Sequence, residues 1–246
     1  MVKNININHI IIIMMLSQII IFAASAWMFT WLNTHYPTVN TVNTVTLLHA
    51  VVTATATNYM LYSDPYAMTH AYKYTDDMIP PFLQFIPVFS SVYGIYDLYE
   101  GIVRKDMGFI LHGVLFIIGS GSTVCSGHLR YSFPALLTET STIFLQFIHF
   151  PSLLNNMLFA STFFLYRNIL IPYISFEYFR DQYDLLIMPN AHYVDKTVGI
   201  VVLGINALNF FWARKIYYRI CRMMEKDEDK SRLQYSKGVV YDGGMN

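Results

Sequence analysis

The sequence predicts an all-α, polytopic transmembrane helical bundle of about seven spans. Two observations carry that prediction. Of the 246 residues, 54% are hydrophobic and only 13% are charged, whereas a soluble domain carries about a quarter charged residues. The charges are also missing over long stretches. No Lys, Arg, Asp or Glu occurs between Lys3 and Asp64, and residues 107–129, 140–166 and 197–213 are equally free of formal charge. A helix needs about 20 apolar residues to cross a hydrocarbon core of about 30 Å. Several such stretches in one chain imply a single bundle held by helix packing. The net charge of zero gives no footing for nucleic acid.

The first span is expected at about 10–32. Its Ala23-Ala24-Ser25-Ala26 run has the small residues of a signal-peptide cleavage site. However, the preceding region holds only Lys3, and the apolar run continues through Trp27, Phe29, Trp31 and Leu32, so the segment reads as a retained span. The next spans fall at about 42–62, 80–101, 107–127, 131–150, 154–176 and 196–219. The fifth is the least regular, because Pro134 and Glu139 interrupt it. Pro37, Asp64-Pro65, Pro80-Pro81, Pro151 and Pro189-Asn190 mark the turns. Residues 1–36 therefore form an N-terminal span and 37–222 the main transmembrane domain. Residues 223–246 form a polar tail, rich in charge from Glu225 to Lys230 and expected to be disordered.

Basic residues orient the bundle. Arg214, Lys215, Arg219 and Arg222 flank the last span and assign the C-terminus to the cytosol. Seven spans then put the 101–106 turn, with Arg104 and Lys105, in the cytosol and the acidic 177–195 loop on the far side. Cys125 and Cys221 are expected on opposite sides, so no disulfide is predicted. Neither cysteine belongs to a metal-ligand cluster. The small residues Ser120, Gly121, Ser122, Thr123, Ser126 and Gly127 suit close helix packing. They make no phosphate loop, since no strand precedes them and the lysine is missing.

An ionisable side chain inside a span costs several kcal/mol and points to function. The set is His49, Asp97, Glu100, His112, Glu139 and Arg167, with His128 near a span end. Tyr93, Asp97, Glu100 and Arg104 share a helical face. Glu100 and Arg104 read as an interfacial pair, while Asp97, a turn deeper, suits a partner for a base. His112 is either a packing histidine bonded between helices or a nitrogen for proton transfer or nucleophilic attack. His49, mid-span, poses the same choice. Glu139 and Arg167 pair across neighbouring spans, or Arg167 receives an anionic head group.

Four sequence blocks follow one another at recognisable spacing. They are Tyr93-Gly94-Ile95-Tyr96-Asp97 with Lys105-Asp106-Met107, then Leu111-His112-Gly113, then Leu137-Thr138-Glu139-Thr140-Ser141-Thr142-Ile143-Phe144, and last Thr162-Phe163-Phe164-Leu165-Tyr166-Arg167-Asn168-Ile169. Over about 40–220 the chain resembles the TLC-domain family, which includes ceramide synthases and translocating-chain-associating proteins, and within it the branch of small TLC-domain proteins. The resemblance implies six helices around a lipid cavity, with one span before them. It also implies the endoplasmic reticulum as location and membrane lipids as ligands. His49 is similar to the family's early histidine, and His112 matches the first of the histidine pair that carries acyl transfer in ceramide synthases. Gly113 stands where the second would be, and the paired aspartates downstream are absent.

Two functions follow as expectations. One is a membrane lipid-binding or lipid-homeostasis protein, whose cavity is bordered by Tyr93, His49, Glu139 and Arg167. The other is a ceramide-synthase-like acyltransferase. There His112 attacks an acyl-CoA thioester, Asp97 orients its ring, and the acceptor is a lipid amine or hydroxyl. No metal or redox cofactor is expected; acyl-CoA would be a co-substrate, and a homodimer is allowed.

Overall fold

The computed structural model describes residues 7–39, 42–73, 79–147, 153–187 and 193–239. The turns expected at Pro151 and Pro189-Asn190 and the last residues, 240–246, lie outside that set. The chain divides into two compact units, Met1–Leu208 and Asn209–Asn246.

The first unit begins with α1 (Ile7–His35), a continuous helix through the small-residue run. A two-residue antiparallel hairpin, β1 (Thr38–Val39) with β2 (Val42–Asn43), turns the chain back. Then α2 (Thr44–Ser63) starts where the Asn43 side chain accepts from the Thr46 N–H at 3.0 Å, satisfying one orphan donor of the first turn. After the short α3 (Pro65–Thr69) come α4 (Ile86–Arg104) and α5 (Met107–Ser126), which form a tight helical hairpin. Lys105, in the left-handed region at φ 55°, ends α4, and Asp106 caps α5 by accepting from the Gly108 N–H at 2.8 Å.

The α4–α5 pair is close because glycines remove side chains from the seam. A Cβ at Gly101 would lie 2.6 Å from the Ile110 nitrogen. The sequence-predicted stripe at 120–127 is less central to close packing: a Cβ at Gly121 would meet nothing within 4 Å. Ser120 and Thr123 of that stripe are nevertheless buried, and Thr123 hydrogen-bonds the Ser132 hydroxyl at 2.6 Å.

The fifth predicted span is not one helix. It consists of a 3₁₀ turn at Leu129–Tyr131, α6 (Ser132–Leu136) and α7 (Glu139–Leu145). Irregular backbone at membrane depth is tolerated where protein covers it, and Phe133, Leu136, Leu137, Thr138 and Glu139 are all buried. The sixth continues well past its predicted end: α8 (Leu153–Thr162), a π-helical stretch (Phe163–Leu170) and α9 (Ile171–Ile187) run on without a break. The acidic loop expected over 177–195 is therefore helical to Ile187 and again from Tyr193, with 188–192 outside the described residues. The core of this unit gathers Phe29, Val45, Ile86, Phe89, Phe116, Phe133 and Leu137.

The last helix, α10 (Tyr193–Val239), starts in the first unit and continues through the second. The tail expected to be disordered is thus helical as far as Val239. No Gly or Pro occurs between Ile205 and Lys237, so nothing in the backbone stops a helix there. Among the described residues, four stretches are long and apolar enough to cross a membrane: Leu16–His35, Met107–Ser126, Leu154–Tyr183 and Asp195–Tyr218. Neither α2 nor α4 is among them, and these two helices carry many of the buried polar groups described next.

Candidate functional site

The six residues expected to react with or border lipid meet inside the bundle, whereas Glu100 and His128 do not join them. Tyr93 and Asp97 come from α4, His49 from α2, His112 from α5, Glu139 from the start of α7 and Arg167 from the π-helical stretch. All six are buried; His49 and Glu139 have no exposed surface.

The shortest contact is His112 Nδ1 to Asp97 Oδ2, at 2.6 Å. The other Asp97 oxygen accepts from the Tyr93 hydroxyl at 3.2 Å. A carboxylate on Nδ1 fixes that nitrogen as the N–H and leaves the lone pair on Nε2. His112 Nε2 faces Glu139 Oε1 at 3.8 Å. From the other side, His49 Nδ1 faces Glu139 Oε2 at 3.5 Å, while His49 Nε2 is 3.1 Å from the Ser90 hydroxyl. The His49 ring stacks on Tyr93 with centroids 3.8 Å apart and planes 6° from parallel, which fixes its plane.

Arg167 approaches Glu139 Oε1 to 3.9 Å. Its Nε donates to Ser141 Oγ at 2.8 Å and its Nη2 to Thr142 Oγ1 at 2.9 Å. The expected Glu139–Arg167 pairing is therefore a long contact. The guanidinium is held by hydroxyls, and the carboxylate is turned toward two imidazoles as much as toward Arg167.

Gly113 has a packing reason. A Cβ there would sit 2.5 Å from the Leu98 nitrogen and 2.8 Å from the Gly94 oxygen, both backbone atoms of α4. No side chain fits, so a second imidazole beside His112 in sequence is excluded. His49, from another helix, brings the second imidazole to the same carboxylate.

Sequence reasoning missed Ser90, Ser141, Thr142 and Thr46, which accepts from the Tyr93 hydroxyl at 3.4 Å. For Ser90 a signal existed: Ser90, Tyr93 and Asp97 recur at helical spacing on one face of α4. Hydroxyls cost little inside a helix, so they do not stand out as charges do. Glu100 and Arg104 form the expected interfacial pair at 2.7 Å, with Arg104 exposed. His128 lies apart at the end of α5, its Nδ1 2.9 Å from the Ser126 carbonyl. Among the described residues no group of His, Cys, Asp or Glu is arranged to hold a metal ion.

Two open, mostly apolar cavities, of about 480 and 440 Å³ including the solvent at their mouths, are lined by none of the six site residues. They share Tyr131, Ala135, Val198, Val202 and Ile205 as lining, and His112 lines neither. Phe116 links the second cavity to the cluster, because it lines that cavity and its ring lies 4.5 Å from the His112 ring.

A family model described as TLC domain matches residues 40–218, about three-quarters of the chain. No curated protein and no solved structure matches.

Proposed function

The chain belongs to the TLC-domain family, and from that premise we propose that this integral membrane protein transfers an acyl chain onto a membrane lipid, with His112 as the reacting group. The observation that carries this reading is the 2.6 Å contact between His112 and Asp97 inside the bundle. A base oriented by a carboxylate is the arrangement nucleophilic catalysis requires. Ionisable groups gathered at membrane depth are costly unless they do something.

The chemistry follows from the tautomer. With Nδ1–H held by Asp97, the Nε2 lone pair attacks the thioester carbon of an acyl-CoA. The C–S bond breaks, and CoA leaves as a thiol once it gains a proton. A lipid hydroxyl or amine then attacks the acyl-imidazole; the C–N bond to His112 breaks, and the proton lost by the acceptor balances the one taken by the thiol. Six residues separate Asp106 from His112, about 9 Å at 1.5 Å per residue. This is short enough for a hydrophilic CoA to stay in water beside Arg104 and Lys105 while its chain passes Phe116. The basic residues around the 101–106 turn support entry of the donor from the cytosolic face, and the family resemblance supports the endoplasmic reticulum as the location.

A second reading keeps the same residues without chemistry: the protein holds lipid in its cavities, and His112 is a packing group. The observation favouring it is that neither cavity is lined by His112. The two separate in an acyl-transfer assay on the full chain in lipid nanodiscs, with long-chain acyl-CoA and amine- or hydroxyl-bearing lipids. Under acyl transfer, His112→Ala and His112→Gln keep their bound lipid and lose turnover by at least about 10²-fold, the lower range for loss of such a group. Turnover retained by either variant removes His112 from the mechanism. Lipid bound with no turnover in the natural protein leaves the second reading standing.

A further inference from the structure

Among the described residues, Glu139 is the least satisfied side chain of the bundle interior. It has no exposed surface, and neither of its oxygens has a hydrogen-bond partner; the same holds for His49 Nδ1, which faces it. A buried carboxylate without compensation is strongly disfavoured, so its surroundings supply the compensation at slightly longer range. These are His49 Nδ1 at 3.5 Å, His112 Nε2 at 3.8 Å and Arg167 Nη2 at 3.9 Å.

Charge counting sets how many protons this group of side chains holds. Asp97 and Glu139 carry two negative charges and Arg167 one positive. With both imidazoles neutral the cluster is left one unit negative; with both protonated it is one unit positive. A single imidazolium closes it to zero, the state a low-dielectric interior favours. Among the described residues, the titratable groups against the two rings are Tyr93 and Asp97 from α4 and Glu139 from α7, with Arg167 from the π-helical stretch facing Glu139. Neighbouring α1 contributes Phe29, which is uncharged.

We propose that Ser90, His49, Glu139, His112 and Asp97 form one relay across the bundle, in which Glu139 passes a single proton between the two imidazoles. The outer ring nitrogens are anchored, His49 Nε2 at the Ser90 hydroxyl and His112 Nδ1 at Asp97. The inner nitrogens both point at Glu139, one at each oxygen. Less than an ångström of movement closes either gap to hydrogen-bond length, and catalytic hydrogen bonds are commonly long before a ligand arrives. His49 and Glu139 are thereby positioning and proton-carrying residues. Where acyl transfer holds, the proton lost by the acceptor as its bond to the acyl carbon forms and the His112 bond breaks is taken by Glu139 and held on His49. That last clause rests on the proposed function; the relay itself does not.

The test reads protonation and needs no activity. The full chain, labelled with ¹⁵N-histidine, is titrated in lipid nanodiscs by NMR between about pH 5 and 9, the range in which imidazoles exchange charge. Rings are assigned by loss of signal in single His→Gln variants. Interacting sites titrate as a pair, so His49→Gln is expected to move the His112 midpoint by about one pH unit. In a Glu139→Gln background the same change should move it no further. If His49→Gln does not fold, His112→Gln with the His49 signal reads the coupling from the other end. A His112 midpoint that stays within about 0.3 unit, or two rings that take up no proton anywhere in the range, overturns the relay. Acyl transfer plays no part in the readout, so a silent transfer assay and an uncoupled titration are separate failures.

Discussion

Gly113 shows how one residue decides what the site can contain. Its missing side chain lets α5 lie on the α4 backbone, with only 2.5 Å available to a Cβ before the Leu98 nitrogen. Gly113→Ala is therefore expected to lower stability by about 1–3 kcal/mol, the usual cost of overpacking. It should also disturb His112, one residue away. Gly121→Ala in the same helix is the control: nothing lies within 4 Å of its Cβ, so replacing a helical glycine should be neutral or stabilising by up to about 1 kcal/mol. Thermal unfolding of both variants in the same detergent checks the pair; equal melting temperatures would mean the seam is not tight. At this scale the sequence was informative about charge. His49, Asp97, Glu100, His112, Glu139 and Arg167 stood out because each is expensive in an apolar stretch; five of them meet, and Glu100 pairs with exposed Arg104 instead. It was uninformative about partners. Nothing in the local pattern says that Glu139, 90 residues from His49, lies between two imidazoles, or that Arg167 rests on Ser141 and Thr142.

At the scale of elements, the apolar runs and breakers located the helices more reliably than their ends. Pro134 and Glu139 marked the fifth segment as irregular, and it is broken into α6 and α7. The ends failed for a different reason. Charged and aromatic residues after 176 and after 222 read as loop and tail, yet neither stretch contains the Pro or Gly needed to stop α9 or α10 early. The broken segment also controls topology. If the stretch from Leu129 to Leu145 crosses the membrane, three crossings separate the 101–106 turn from the end of α9. Cysteines placed at Arg104 and Tyr183, in a background with Cys125 and Cys221 replaced by serine, should then react with an impermeant thiol reagent from opposite sides. Labelling from the same side would make this stretch re-entrant and overturn the seven-span count. Both positions are exposed, so accessibility within the protein does not confuse the result.

At the scale of the whole molecule, the site draws on long apolar stretches and on shorter polar helices alike: His112 and Arg167 come from the former, His49, Asp97 and Glu139 from the latter. The four long apolar stretches form the membrane-compatible frame. The polar cluster takes His49 from α2, Asp97 from α4 and Glu139 from α7, with His112 and Arg167 reaching in from α5 and the π-helical stretch. This convergence couples function to assembly, because no pair of helices alone completes the His112–Glu139–His49 array. The central claim is that His112 reacts with an acyl donor at the edge of this array. The most direct measurement is intact-mass analysis of the full chain after brief exposure to a long-chain acyl-CoA without acceptor lipid, followed by peptide mapping. Acyl transfer predicts a mass increase of one acyl chain, carried on His112 and absent from His112→Ala. An unchanged mass, with lipid recovered only non-covalently, would contradict it.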